Sequence, residues 1–221
     1  MYDNNHPYLQ PSFFIDSDHP DIIEFADTLC SDCHTPVQRA ITLYYAVRDR
    51  ILYDPYDLGY SRDSMRASAI LKKGKGYCVA KAVLLAALGR RQKIPCRLGF
   101  GDVTNHLTTP KLRALMGTDI FIYHGYTEML LDRKWVKATP AFNLSLCERF
   151  GVKPLEFDGQ ADSIFHEFDT RGRKHMEYLR DRGTFVDVPF DEIFSAYRKT
   201  YPGFAENFAT ALNHSAVDNF L

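Results

Sequence analysis

The sequence lacks the features that mark membrane, secreted and nucleic-acid-binding proteins. Its longest apolar run, residues 79–88, is interrupted by Lys81 and is far too short to cross a bilayer. The first fourteen residues have neither the basic nor the apolar region of a secretory signal. Basic and acidic residues nearly cancel, 27 against 28, which gives no electrostatic basis for binding nucleic acid or a membrane surface. We therefore expect a cytoplasmic protein.

Cysteine is scarce and odd in number. Five cysteines in a chain expected to stay inside the cell argue against a disulfide framework. Cys30 and Cys33 belong to CSDCH, residues 30–34, which matches the attachment pattern of c-type haem. That attachment requires export, and no second cysteine pair follows at zinc spacing. We expect a plain helix junction here, with neither a metal nor a cofactor.

The residues that are present are those of a packed protein with helices first. Hydrophobic residues make up 45% of the 221 and aromatic residues 14%, enough for a sizeable core. Helical spacing predicts a helix that begins at Pro20, and a capping box at Thr35 and Gln38 predicts the start of a second. A third should stop at Gly74. The next, from Cys78 to about Lys93, is apolar nearly all round and should run through the core.

A strand and a β-hairpin follow. Beyond residue 95 the apolar residues alternate, which predicts a strand. Residues 120–143 read as a hairpin with a two-residue turn at 132–133. That turn places Glu128 opposite Lys137, a favourable pair of about 0.2–1 kcal/mol, and makes Thr139 a diagonal neighbour of His124.

We divide the chain into three parts, which we expect to form one domain. Residues 1–60 form a helical part, 61–143 a core, and 144–221 an extension packed on that core. In the extension we expect turns, with a helix at about 191–198.

Cys78 is the first candidate for chemistry, because it lies where a glycine-rich turn meets the central helix. Unpaired N–H groups and the positive dipole in the first helical turn stabilise a thiolate and would lower the pKa of Cys78. Gly74 and Gly76 would leave room for a substrate backbone. A histidine at the end of a strand could then serve as the base. From the residues alone, a cysteine that simply packs and a histidine with a structural role are the commoner case, and both alternatives remain open.

Three motifs resemble those of the transglutaminase-like superfamily. They are GKGYCVAKAVLLAALGRRQKIPCR around Cys78, HGYTEMLLDRKWVKATP beginning at His124, and RILYDP at residues 50–55. Together they cover residues 36–143 in the order and spacing of that superfamily. The resemblance implies a papain-like α+β fold, in which N-terminal helices and the cysteine-bearing central helix pack on an antiparallel β-sheet. It also implies that Cys78 is the nucleophile of a thioester acyl-enzyme and His124 its general base and acid.

The resemblance fails at one position. The superfamily usually has an aspartate directly before the proline that ends this strand, and here that position is Thr139. Either Thr139 orients His124 without a charge, or another residue replaces the acid, for which Asn143 is the first choice. A third alternative is an attenuated site on a scaffold that binds a peptide or protein partner. The implied substrate of an active enzyme is a peptide or protein with an amide or glutamine-like group, attacked in a peptidase, amidase or acyl-transfer reaction.

Overall fold

The computed structural model describes residues 6–58, 61–106, 108–164, 171–173 and 175–203. In these ranges seven α-helices, α1 to α7, run over Pro20–Leu29, Pro36–Arg50, Ala67–Lys73, Cys78–Arg91, Pro110–Met116, Leu144–Phe150 and Phe190–Thr200. Six strands, β1 to β6, run over Leu52–Tyr53, Lys75–Gly76, Cys96–Asn105, Ile120–Leu131, Lys134–Ala138 and Met176–Phe185. Short 3₁₀ turns occupy Pro7–Leu9 and Asp63–Met65.

A four-stranded sheet in the order β5-β4-β3-β6 forms the frame, and all of its neighbours are antiparallel. The two short strands β1 and β2 form a separate parallel pair. Helix α4 packs on β4 and is also in contact with α1, α2 and α3. The predicted α+β class, with the cysteine-bearing helix on an antiparallel sheet, is confirmed.

Helix α4 runs through the core as its composition predicted, and it is buried from Cys78 to Arg90. Two of its buried residues have basic side chains, and each of these donates hydrogen bonds to backbone carbonyl groups. Lys81, at 0% exposure, donates from Nζ to the carbonyls of Arg48 (2.9 Å) and Ile51 (2.6 Å), where α2 ends and its last carbonyls lack helical partners. Arg90 donates to carbonyls of the N-terminal segment, of β3 and of the residue after β6.

The hairpin has the predicted register. Glu128 lies opposite Lys137, and the turn residues Asp132 and Arg133 both have positive φ angles, 46° and 67°, as a two-residue hairpin turn requires. Glu128 nevertheless forms its ion pair with Arg97 of β3, at 2.6 Å. The β4–β5 ladder ends at residue 138, because the N–H of Thr139 donates instead to the carbonyl of Ser163. The predicted pairing that made Thr139 a diagonal neighbour of His124 is therefore not formed.

The C-terminal part contains more structure than the sequence predicted. Helix α7 is found where residues 191–198 were expected to be helical, but α6 and β6 were not predicted. Strand β6 is an edge strand whose residues are mostly exposed, so it lacks the alternating apolar pattern that identifies a half-buried strand. No helix in the described ranges is long and apolar enough to span a bilayer.

Candidate active site

Cys78 is the first residue of α4, and the chain before it explains that start. Gly74 ends α3 with a left-handed φ of 69°, a conformation that glycine adopts without strain. At Gly76 a Cβ atom would lie 2.7 Å from the Cβ of Ala80, so only glycine lets the chain enter the helix here. The backbone therefore requires glycine at both positions, whether or not a substrate binds nearby. Cys78 is left at the helix N-terminus with 7% of its surface exposed.

His124 lies near the first turn of α4 because the next residue of β4 has no side chain. A Cβ on Gly125 would lie 2.9 Å from Cα of Val79, the second residue of α4. The strand therefore touches the first turn of the helix backbone to backbone. His124 and Cys78 consequently line one cavity.

The residue before His124 is held in a strained conformation. Tyr123 has a φ of 53°, which is uncommon for a residue with a side chain. Its N–H donates to Oδ1 of Asp102 (3.0 Å), and Arg182 binds the same carboxylate at 2.7 Å. Such strain persists only where the surroundings enforce it and is frequent at functional sites. The Asp102–Arg182 pair thus fixes the backbone from which His124 projects.

The cavity shared by Cys78 and His124 is small, about 50 Å³, and mostly apolar. Its other walls are Tyr53, Pro55, Leu58, Tyr77, Leu112, Leu115, Met116, Phe121, Ile122, Tyr197 and Tyr201. These residues come from the β1 segment, α5, β4 and α7 with the residue that follows it. The C-terminal part of the chain therefore closes the cavity.

Burial sets the protonation of the pair. It raises the pKa of Cys78 to about 11, against a smaller lowering by the N–H groups of Gly125, Val79 and Cys78 itself. Burial also lowers the pKa of His124 to about 4. The expectation that the helix start makes Cys78 a thiolate is therefore wrong for the closed cavity, where the desolvation of a buried charge outweighs the helix N-terminus. At neutral pH both partners are uncharged.

The two candidates for the third group hold other parts of the protein. Oγ1 of Thr139 donates to the carbonyl of Ile164 at 2.9 Å. Asn143 accepts from the N–H of Tyr53 (3.1 Å) through Oδ1 and donates to Oγ of Ser145 (2.7 Å). Within the described residues neither side chain hydrogen-bonds His124. The structure brings Cys78 and His124 together but leaves Thr139 and Asn143 in structural contacts.

Two tyrosines of the cavity wall differ in their hydroxyl groups. The Tyr201 hydroxyl accepts from the N–H of Ile122 (2.7 Å) and donates to the carbonyl of Ile120 (3.2 Å), which fixes the end of α7 to β4. The Tyr77 hydroxyl is buried and lacks a well-formed hydrogen bond within the described residues, with the Tyr197 side chain as a neighbour at the limit of hydrogen-bonding reach. Burial raises the pKa of both phenols, and the nearby Cys78 sulfur raises them further.

A larger groove of about 590 Å³ adjoins the cavity and shares Tyr53, Pro55 and Leu112 with it. Aromatic side chains and two arginines, Arg149 and Arg173, line the rest of the groove. Its size suits an extended segment of a substrate better than the small cavity does.

The CSDCH segment lies in the connection between α1 and α2. Sγ of Cys33 is 3.4 Å from Oγ1 of Thr42, and Gln38 accepts the N–H of His34 as part of the capping of α2. All five cysteines are free. In the part of the chain that the structure describes, no group of three or more histidine, cysteine, aspartate or glutamate residues could hold a metal ion.

Sequence reasoning missed the residues that shape the site. The positions of Gly125 and Tyr123 beside His124 gave no sign of a close approach or of strain, since both depend on contacts between distant segments. The placement of Tyr77 directly before Cys78 was a usable signal, because an aromatic residue at a helix N-cap has no capping role.

Comparison with known proteins points to one family. The model of the Transglutaminase-like superfamily matches residues 23–140. Two solved structures have 14% sequence identity with the chain. The first, provisionally described as a cysteine protease from Cytophaga hutchinsonii, has a TM-score of 0.49 over 84% of this chain and 55% of its own. The second, provisionally described as a protease from Parabacteroides distasonis ATCC 8503, has a TM-score of 0.39 over 54% and 23%.

The chain thus spans about half the length of the first structure and about a quarter of the second. A search of the curated proteins found no match.

Proposed function

Because the chain belongs to the transglutaminase-like superfamily, we propose that it is a cysteine enzyme acting on amide or peptide carbonyl groups through a thioester at Cys78. The observation that carries the proposal is the shared cavity of Cys78 and His124, built by the contact between Gly125 and Val79. A packing cysteine needs no histidine beside it, and a structural histidine needs no strained residue before it.

The reaction begins from an uncharged pair. His124 takes the Cys78 proton as sulfur attacks the substrate carbonyl carbon, so that the S–C bond forms and the carbonyl oxygen becomes an oxyanion. The N–H groups that face the sulfur, those of Cys78, Val79 and Gly125, are suited to stabilise this oxyanion. The C–N bond then breaks, and the amine leaves with the proton from His124.

Water or a second amine resolves the thioester, again with His124 as base. Hydrolysis, by a peptidase or amidase, is our first choice over transfer to another amine. The substrate is a peptide or protein that lies in the larger groove, with its scissile or side-chain amide in the small cavity.

The test is to trap the acyl-enzyme. The full chain is incubated with p-nitrophenyl acetate, and acetylation is located cysteine by cysteine by mass spectrometry in wild type, Cys78→Ala and His124→Gln. Cys147 is the internal control, because burial also raises its pKa to about 11 and it lines the larger groove but not the cavity that contains His124. We expect acetylation of Cys78 to exceed that of Cys147 at least tenfold, and to fall to the Cys147 level in His124→Gln. Equal acetylation of Cys78 and Cys147 in wild type would refute the proposed enzymatic function.

One observation favours a second candidate, a scaffold that binds a peptide or protein. No carboxylate stands at position 139, and the side chains of Thr139 and Asn143 are committed elsewhere. A scaffold would bind its partner equally well after Cys78→Ala and would show no acetyl-enzyme. The trapping experiment thus separates the two candidates.

A further inference from the structure

His124 also lines a second cavity, which Cys78 does not reach. This space of about 300 Å³ lies over the sheet and is bounded by Gly101, Val103, His124, Tyr126, Lys137, Ile164, Tyr178 and Asp181. In a cysteine–histidine site a third group orients the imidazole through the nitrogen that does not face the nucleophile. The second cavity is where such a group would act on His124.

Three residues form a row across the sheet at this cavity. Gly101 of β3 lies opposite His124 on β4 and opposite Asp181 on β6. Residues that lie opposite each other on antiparallel strands share a face of the sheet. Since Gly101 has no side chain, its place on that face between His124 and Asp181 is open to another residue.

Tyr178 of β6 occupies that place. A Cβ on Gly101 would lie 2.5 Å from Cε2 of Tyr178 and 2.8 Å from its hydroxyl oxygen, so the phenol lies over Gly101. The hydroxyl is thus about one cross-strand spacing from His124, a separation that one bridging water can span. Glycine at position 101 is what allows this placement.

The same arrangement occurs once more on this face, with a different neighbour. A Cβ on Gly99 would lie 2.2 Å from the ring of Tyr126, which covers Gly99 just as Tyr178 covers Gly101. Tyr126 is itself the cross-strand partner of Gly99, so its hydroxyl lies on a different row from His124. Tyr126 is therefore a matched control for Tyr178.

A phenol beside a carboxylate can orient the imidazole of His124, which Thr139 at the usual aspartate position does not do. Its oxygen accepts a hydrogen bond from an imidazole N–H, and its O–H donates to a carboxylate. Oδ1 of Asp181 accepts the N–H of Gly183 at 2.7 Å, which fixes the carboxylate. Burial raises the pKa of Tyr178, and the charge of Asp181 raises it further, so the phenol keeps its proton at neutral pH. The other charged group at this cavity, Lys137, lies over the Tyr126 ring at 5.3 Å.

We propose that Tyr178 is the positioning residue of His124, with Asp181 behind it supplying the negative charge that the superfamily usually places at position 139. The orienting group then comes from β6, on the opposite side of β4 from β5. This inference rests on the proposed function, since it requires His124 to act as a base.

The test compares Tyr178→Phe with Tyr126→Phe, because both changes keep the ring over its glycine and remove only a hydroxyl. The rate of Cys78 acetylation by p-nitrophenyl acetate is measured between pH 2.5 and 9, so that a limb near the His124 pKa of about 4 and its shift to lower pH both fall inside the range, together with the melting temperature. We expect Tyr178→Phe to lower the rate about tenfold to a hundredfold and to move the acidic limb of the pH profile to lower pH, since the imidazolium loses its support. Asp181→Asn should move the same limb in the same direction. Tyr126→Phe should change neither the rate nor the limb.

A purely structural Tyr178 would lower the melting temperature without moving the limb, and that result would overturn the inference. So would an unchanged rate in Tyr178→Phe while wild type is acetylated at Cys78, and the proposed function would then stand. If wild type shows no selective acetylation of Cys78, the proposed function and the inference both fail.

Discussion

The reactivity of Cys78 in the unliganded protein should rise steeply with pH, because its thiol is buried and neutral. At pH 7 a thiol with a pKa of about 11 is about 0.01% thiolate, whereas an ordinary thiol of pKa about 8.5 is about 3% thiolate. The ratio of their alkylation rates should therefore be about 300 in favour of the ordinary thiol. At pH 9.5 the ordinary thiol is almost fully ionised, so the ratio of the two alkylation rates should narrow to about 30.

This narrowing separates chemistry from simple shielding, since shielding lowers the rate by the same factor at both values of pH. The assay is iodoacetamide alkylation of the full chain, quantified for each cysteine by mass spectrometry, with N-acetylcysteine as the ordinary thiol. Burial also raises the pKa of Cys147 to about 11, so the ratio of alkylation rates between N-acetylcysteine and Cys147 should narrow with pH in the same way. A rate at Cys78 that stays constant from pH 5 to 8 would mean a preformed thiolate–imidazolium pair. The conclusion that burial outweighs the helix N-terminus would then be wrong.

Three further predictions concern stability. Burial lowers the pKa of Lys81 to about 7, so the unfolded chain binds the extra proton between pH 7 and about 10.4 and stability rises with pH there. Relative to Lys81→Met, wild type should gain about 1.5 kcal/mol between pH 7 and 8.5 in urea titrations, and a constant difference would contradict the neutral lysine. Tyr77→Phe removes a buried hydroxyl that lacks a well-formed hydrogen bond among the described residues and should change the free energy of unfolding by less than about 0.5 kcal/mol, whereas Tyr201→Phe breaks two hydrogen bonds and should lower it by about 1 kcal/mol or more. Arg90→Met, which removes the donor to the buried carbonyl of Cys96 and to the more exposed carbonyls of Gln10 and Val186, should cost about 2 kcal/mol by the same titration, and a loss below about 1 kcal/mol would refute its role.

The sequence predicted those elements whose signals are local. Helix α2 begins at its capping box, α4 is buried because it is apolar on every side, and the hairpin register follows from a two-residue turn. Each of these depends on residues within one or two turns of chain. Cys78 and His124 were found the same way, through short motifs.

What the sequence did not predict depends on contacts between distant segments. Strand β6 is identified by its partner β3 rather than by its own exposed residues. The pKa of Cys78 depends on burial by α5 and α7, which no motif around the cysteine reports. The place of Tyr178 over Gly101 likewise requires the pairing of two strands that are about 80 residues apart.

The contact between Gly125 and Val79 restricts how a substrate can enter. The backbones of β4 and α4 are in direct contact there, so the strand that carries His124 and the helix that carries Cys78 cannot separate or slide without losing the packing of α4 on the sheet. Under the proposed function, a substrate would therefore reach the sulfur through the other walls, which are the β1 segment, α5 and the end of α7. The hydrogen bonds of the Tyr201 hydroxyl fix the end of α7 to β4. Under the proposed function, a tyrosine some 120 residues beyond Cys78 in the chain would thus help to control access to the sulfur.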